Sequence, residues 1–306
     1  MKKMRIGTHG GSFHADDAIS VAILLALHPG AQVVRSRDPE VWATCDFLVD
    51  VGGEYDVERK RFDHHQKGFR EQRENGVRYA ASGLVWKTYG RIYAGLVCCP
   101  GYDGLDLEAI AREVDIRLIQ HADAVDVGDW APAEAHFSLT GIINSMNSTW
   151  REDSDGDDAR FEEAVALAGT VLRNLVREVE AELAAAAKVR AGKLRSHGRI
   201  LVLEEARLPF DPVVCAEMPD VLFIVYPESR GEQTQVRVVP KVLGTFDARA
   251  DLPDAWGGLR DADLAQVTGV DDAVFCHTGL FICGARSQEG AIRLAELAVA
   301  ALNLDS

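Results

Sequence analysis

MRIGTHGGSFHADDAISVAILLAL, residues 4–27, decides the fold class. Met4 to Thr8 reads as a strand and stops at His9-Gly10-Gly11; Asp17 to Leu27 is an apolar helix ended by His28-Pro29-Gly30. A strand, a polar loop and a helix make the first unit of a sheet whose faces are covered by helices. Working outward, Gln32 to Arg35 and Phe47 to Val51 read as two more strands, the second running into Gly52-Gly53. Ser82 to Leu96 and Leu107 to His121 read as helices. This alternation predicts an α/β fold with a mainly parallel, helix-covered sheet.

The second half has a different texture. A polar break, Arg151 to Asp158, precedes an Ala-, Val- and Glu-rich run from Ala159 to Ala191 that contains no proline and is expected to form one long helix. The Asp-rich break lacks the sixth-position glycine and closing glutamate of a calcium loop, so a solvated linker is the better reading. Strand-like segments follow at Ile200 to Leu203, Val221 to Tyr226 and Gln235 to Val239, and a closing helix at Gln288 to Leu302. The expected organisation is a first domain over 1–190, ending in the long connecting helix, and a second, smaller α/β domain over 191–306.

Composition narrows the partners. The 306 residues carry a formal net charge of -15. That disfavours a protein coating long duplex nucleic acid, which needs a broad positive surface, but leaves short oligonucleotides open. Six cysteines form no CxxC pair, so reduced thiols are expected and no zinc site is readable from them. The longest apolar stretch, Ala18 to Leu27, is far shorter than a bilayer span, and no signal-peptide hydrophobic region follows Met1. The expectation is a cytoplasmic protein with no membrane contact; homo-oligomerisation stays open.

Three segments place acids and imidazoles where strands end: Thr8 to Asp17, with His9, His14, Asp16 and Asp17; Leu48-Val49-Asp50; and Asp63-His64-His65 after Arg61-Phe62. In open α/β sheets, loops from several strands meet at the strands' carboxyl ends, so segments distant in sequence can share one site. Each residue alone has a plainer reading. Asp16 or Asp17 could cap the helix, and His9 could be a hydrogen-bonded core residue. Asp50 is harder to dismiss, since a buried carboxylate needs a cation or a dense set of donors. A mixed imidazole and carboxylate set without thiolate suits Mn²⁺, Mg²⁺, Fe²⁺ or Co²⁺ in a hydrolytic centre, and a bridging aspartate could hold two ions about 3.5–4 Å apart.

The triplet Asp63-His64-His65, with the His-rich first motif and the strand-end Asp50, resembles the DHH phosphoesterase superfamily. Within it the chain is most similar to the melanocyte-proliferating-gene (Myg-type) family of metal-dependent 3′→5′ exoribonucleases. The similarity runs through Gly7-Thr8-His9, His14-Ala15-Asp16, Val49-Asp50-Val51-Gly52, Arg61 to Gln66, Asp123-Ala124-Val125-Asp126 and Met146-Asn147 with Trp150. It resumes at Val239-Pro240-Lys241, Trp256 to Arg260, Phe275-Cys276-His277, Gly284-Ala285-Arg286 and Glu289-Gly290-Ala291. The resemblance implies two divalent ions, Mn²⁺ before Mg²⁺, held by His9, His14, Asp16, Asp50, His64 and Asp123, with Asp50 and Asp123 bridging. Asp123 matches the superfamily's fourth motif better than Asp126, which stays open as the alternative. Asp63 would orient the loop and His65 would meet phosphate. Three departures stand out: His14-Ala15-Asp16 replaces the superfamily's Asp-x-Asp, Val127 stands where the family has Asn, and Cys283 replaces the first glycine of a pair.

On the substrate side, Arg59, Lys60, Arg61, Lys67, Arg70 and Arg73 surround the triplet. They form either an electropositive entrance or a solvated loop balanced by Glu58, Glu71 and Glu74. Lys241, His277 and Arg286 fall in family-matching motifs and are expected to grip the terminal nucleotide; Arg260 and Trp256 are further candidates, Trp256 more as packing. The expected activity is hydrolysis of RNA or short oligonucleotides from the 3′ end by a metal-activated hydroxide. A pyrophosphatase or small-nucleotide phosphodiesterase is the first alternative, and a non-catalytic metal-stabilised binding protein the second.

Overall fold

The computed structural model describes residues 3–98, 106–130 and 137–302, so Cys99 lies outside the described residues. The chain divides into two units, residues 1–180 and 181–306. The division falls inside the long helix.

The first unit is built on a five-stranded sheet. Strand β1 (Arg5–Thr8) leads to helix α1 (Ala15–Leu27) and then to β2 (Gln32–Arg35). A short helix α2 (Pro39–Trp42) precedes β3 (Phe47–Val49), β4 (Tyr55–Asp56) and β5 (Arg61–Phe62). The strand order is β2-β1-β3-β5-β4, and every neighbouring pair is parallel except β4 with β5. The register sets Ile6 against both Val33 and Phe47, and Val49 against Phe62. The carboxyl ends of β1, β2, β3 and β5 therefore share one edge of the sheet, as the alternating pattern predicted.

Helices α3 (Ala81–Val97), α4 (Leu107–Val114), α5 (Gln120–Asp126) and α6 (Leu139–Ser145) follow. A π-helical turn, Asp115–Ile119, joins α4 to α5, where one unbroken helix to His121 was expected. Helix α1 is buried at every residue from Ala15 to Leu24, because it sits between the sheet and its helical neighbours α3, α5 and α6. Its Ile19, Ile23 and Leu24 join Phe13, Phe47, Phe62 and Phe161 in one core. Fully burying each such side chain contributes about 1.5–3 kcal/mol, which fixes the helix whose first turn carries the acids. The long helix α7 (Asp157–Arg190) starts inside the expected polar linker, where Asp157 is buried and Asp158 pairs with Arg35.

The second unit has a six-stranded sheet, order β10-β11-β9-β8-β7-β6. Its elements are β6 (Lys193–Arg195), β7 (Ile200–Val202), α8 (Asp211–Glu217), β8 (Phe223–Pro227), β9 (Thr234–Val238), α9 (Asp261–Thr268), β10 (Ala273–Cys276), β11 (Ile282–Ala285) and α10 (Gln288–Leu302). Only β7 and β8 run parallel; the other pairs are antiparallel. Trp256 is buried in the core cluster that also holds Cys276, Cys283 and Leu294, in keeping with packing. Among the described residues no helix is long and apolar enough to cross a membrane.

Candidate metal centre

Strand β1 delivers His9, the α1 N-terminus delivers His14, Asp16 and Asp17, β3 delivers Asp50, and β5 delivers Asp63, His64 and His65. His14 is the N-cap of α1, and Asp17 accepts from the His14 backbone N–H at 3.0 Å. The capping role considered for either aspartate thus belongs to Asp17, which also lies 3.1 Å from His9 Nε2. Asp16 is fully buried and neither of its carboxylate oxygens has a hydrogen-bond partner. Burial, reinforced by Asp50 and Asp126, pushes its carboxyl well above the usual carboxylate range. A carboxylate in that situation is strongly disfavoured unless a cation compensates it.

Asp50 follows β3 directly and takes a left-handed backbone, φ 56°. Non-glycine residues are uncommon there, though aspartate is among the more tolerant. This turn sets its carboxylate between two imidazoles: His9 Nε2 at 3.3 Å and His64 Nε2 at 3.2 Å. Burial alone would raise the Asp50 carboxyl, but His64 and His9 outweigh it and hold it below the usual range. Burial likewise would lower both imidazoles; carboxylates reverse this and push each up to about 10, Asp17 and Asp50 for His9, Asp126 and Asp50 for His64. Asp63 sits behind this row. It accepts from the backbone N–H of Gly53 (2.5 Å) and of His65 (3.1 Å), and lies 2.8 Å from His65 Nδ1. Gly53 has φ 65°, so the loop that donates this bond depends on a residue suited to that conformation.

Three overlapping groups have ligand atoms within 4.8 Å of one another: His9, His14 and Asp50; Asp50, His64 and His65; and His14, Asp16 and Asp126. The donor set is imidazole and carboxylate throughout, and with the orphaned Asp16 oxygens it fits hard or borderline divalent cations.

Of the six expected ligands, five meet here. Asp123 does not; Asp126, the alternative the sequence left open, lies in the cluster, 3.2 Å from His64 Nε2 and 3.6 Å from His14 Nδ1. The reason is local. Asp123 is fully buried and accepts from Arg73 (2.8 Å), from the Ser82 hydroxyl (2.6 Å) and from the Gly83 backbone N–H (2.9 Å) at the start of α3. Burial raises its carboxyl to about 6 against the opposing pull of Arg73. A β-carbon on Gly83 would lie 1.9 Å from Asp123 Oδ2, so only glycine permits this approach. Arg73 also pairs with Asp115 of the π-helical turn through two bonds of 2.7 Å.

The centre opens into a cleft of about 730 Å³ lined by His9, His14, Asp50, His64, His65 and Asp126, with Arg37, Trp42 and Arg78 on its walls. None of the six basic residues around the triplet lines it. Arg59 pairs with Glu54, Arg61 donates to the Asp46 and Cys45 carbonyls, Lys60 lies over the Phe47 ring, and Arg73 is internal. The cleft's arginines come from elsewhere: Arg37, two residues beyond β2, and Arg78, which pairs with Asp129 and donates to the Val127 carbonyl. Sequence reading passed over both, although a cation just past a strand end at this sheet edge was a usable signal.

In the second unit the expected substrate residues separate. Lys241 follows the end of β9, and His277 N–H donates to the Ile282 carbonyl at the start of β11. Arg286 follows the far end of β11 and donates to the Asp272 carbonyl. Since β9 and β10 both run antiparallel to β11, Lys241 and His277 share one end of the sheet. Arg286 is at the other end, four strand residues or about 13 Å away. Arg260 is exposed at the N-cap of α9, its guanidinium 5.9 Å from the Phe275 ring.

The imidazole–carboxylate cluster thus lies at the carboxyl edge of the parallel strands of an α/β fold. The chain belongs to the MYG1 exonuclease family: the model of that family, described as Uncharacterised protein family (UPF0160), matches residues 5–299. The MYG1 exonuclease of Mus musculus is 32% identical over 327 residues, covering 98% of this chain and 86% of its own. The human MYG1 exonuclease is 32% identical with 98% and 87% covered, and the MYG1 protein YER156C of Saccharomyces cerevisiae 32% identical with 97% and 96% covered. Among solved structures, a pGpG-specific phosphodiesterase from Vibrio aligns at 14% identity over 99% of this chain and all of its own, TM-score 0.27. RecJ from Thermus thermophilus, in complex with Mn²⁺, aligns at 17% identity over 97% of this chain and 52% of its own, TM-score 0.28.

Proposed function

We propose that the chain is a metal-dependent phosphodiesterase that shortens RNA or short oligonucleotides from the 3′ end. The observation that carries the reading is the buried, unpartnered Asp16 carboxylate, grouped with His14 and Asp126 in a cluster that also holds His9, Asp50, His64 and His65. His9, His14, Asp16, Asp50, His64 and Asp126 would hold two divalent ions, Mn²⁺ or Mg²⁺; His14 and Asp50 each belong to two of the three groups, and of these Asp50 has two carboxylate oxygens to share. Bound there, the ions would supply charge neutralisation at the phosphoryl oxygens and acidify the attacking water.

The chain's own residues do the rest. Asp63 fixes His65 through Nδ1 and raises its pKa, which favours the imidazolium whose Nε2–H would donate to a phosphoryl oxygen in the open cleft. The buried row of Asp17, His9, Asp50 and His64 holds each imidazole in place by a neighbouring carboxylate, so the site needs little reorganisation at the moment of reaction. Lys241 and His277 are the second unit's candidates for contact with the terminal nucleotide. The kinship to exonucleases supports a nucleic-acid substrate, and the reduced state expected of the thiols supports a cytoplasmic setting.

The test is to incubate the purified chain with Mn²⁺ and, in parallel, 5′-labelled RNA, a dinucleotide and pyrophosphate. A ladder of labelled products shortened one nucleotide at a time is expected. Cleavage of pyrophosphate alone overturns the reading.

A further inference from the structure

We propose that Arg37 and Trp42 form a subsite for a second nucleotide, so that the centre recognises the phosphate and base next to the scissile bond. This rests on the phosphodiesterase reading above. Arg37 is anchored by its Nε, which donates to the Gly10 carbonyl at 2.9 Å, one residue from His9. Its two terminal nitrogens have no hydrogen-bond or ion-pair partner among the described residues, and the side chain lines the cleft. Arg78, which also lines the cleft, differs: its guanidinium is engaged by Asp129 and the Val127 carbonyl. Among the described residues that line the cleft, Arg37 is thus the cation with a forked pair of donors free, the geometry that matches a phosphate.

Trp42 completes the subsite. Its indole N–H donates to the Ser36 carbonyl at 2.7 Å, which fixes the ring, and the ring packs on Cys45, Leu48 and Val51 while also lining the cleft. An aromatic surface held in this way offers a stacking platform that accepts any base. Both residues belong to the segment after β2, which is separated from β3 and its Asp50 by β1 alone. Two strand spacings are about 10 Å, a step suited to the nucleotide adjoining the one being cleaved. The subsite would favour chains of two or more nucleotides over pyrophosphate, which has no base to stack.

The test uses the full chain and three variants: Arg37→Ala, Arg37→Lys and Trp42→Phe. Binding of a fluorescently labelled trinucleotide RNA is measured by anisotropy in EDTA. Hydrolysis with Mn²⁺ is followed on the same RNA and on bis(p-nitrophenyl) phosphate, which has neither a second phosphate nor a base. Arg37→Ala is expected to weaken RNA binding and raise KM for RNA about ten- to hundredfold, with Arg37→Lys partly restoring both. Trp42→Phe, which keeps a ring but loses the indole N–H anchor, is expected to weaken RNA binding about two- to tenfold; RNA binding unchanged in it overturns the stacking role of Trp42. Turnover of the small diester should stay within about twofold. RNA binding unchanged in Arg37→Ala, equal losses on both substrates, or no RNA binding by the wild type overturns the subsite. A wild type that binds RNA through Arg37 but hydrolyses pyrophosphate alone supports the subsite and overturns the phosphodiesterase reading instead.

Discussion

Replacing Arg73 with methionine leaves the Asp123 carboxylate buried at the start of α3 without its cation. Arg73 has 7% of its side chain exposed and Asp123 none, so water cannot take over the lost pairing. Breaking a buried pair by removing one partner costs about 3–5 kcal/mol. Asp115 loses the same guanidinium but is partly exposed and contributes less. For a unit of 180 residues, each kcal/mol shifts the melting temperature by about 2–4 °C, giving a fall of about 6–20 °C. Thermal unfolding followed by circular dichroism measures it, with Arg70→Met as the exposed control, expected within about 2 °C of wild type. The same pair separates a structural Arg73 from one that grips substrate. A melting temperature unchanged in Arg73→Met, with KM for RNA raised, would refute the assignment of Arg73 to the interior network.

The two aspartates of α5 should behave oppositely. Asp126→Asn is expected to weaken Mn²⁺ binding by at least tenfold in calorimetry with little thermal change, and Asp123→Asn to lower the melting temperature while Mn²⁺ still binds. Gly83→Ala, which would drive a methyl group to 1.9 Å from Asp123 Oδ2, should destabilise by about 1–3 kcal/mol, read from denaturant midpoints. In EDTA, His9 and His64, both raised from 6.5 to about 10, contribute stability that is fully present below pH 6.5 and is lost as pH rises through about 10. The metal-free melting temperature should therefore fall between pH 7 and 10; a rise over that interval would contradict the pairing.

The sheet edge was legible because β1, β2 and β3 are short apolar segments that each end in a polar turn, and a parallel sheet brings such ends together. That rule put His9, His14, Asp16, Asp50 and His64 into one candidate cluster together with Asp17, Asp63 and His65; the family resemblance chose the proposed ligands among them. The choice between Asp123 and Asp126 followed from neither. It depends on Arg73, fifty residues upstream, on the close approach permitted by Gly83, and on a π-helical turn that rotates α5 by an extra residue without any sequence mark. For the cations the sequence left two readings open, and folding keeps the Arg59 to Arg73 run off the cleft lining: Arg59 meets Glu54, Arg61 and Arg70 meet carbonyls, and Arg73 turns to the interior. In the second unit β10 and β11 are four residues each, too short to alternate visibly, so the separation of Arg286 from Lys241 and His277 emerges only with the strand register.

The central claim is that the cluster at the sheet edge binds divalent cations through Asp50. Calorimetric titration of Mn²⁺ into the metal-stripped chain and into Asp50→Asn, both verified as folded, tests it directly. Two ions per wild-type chain are expected, with at least one site lost in the variant. No Mn²⁺ binding by the wild type, or full and equal binding by Asp50→Asn, would contradict it.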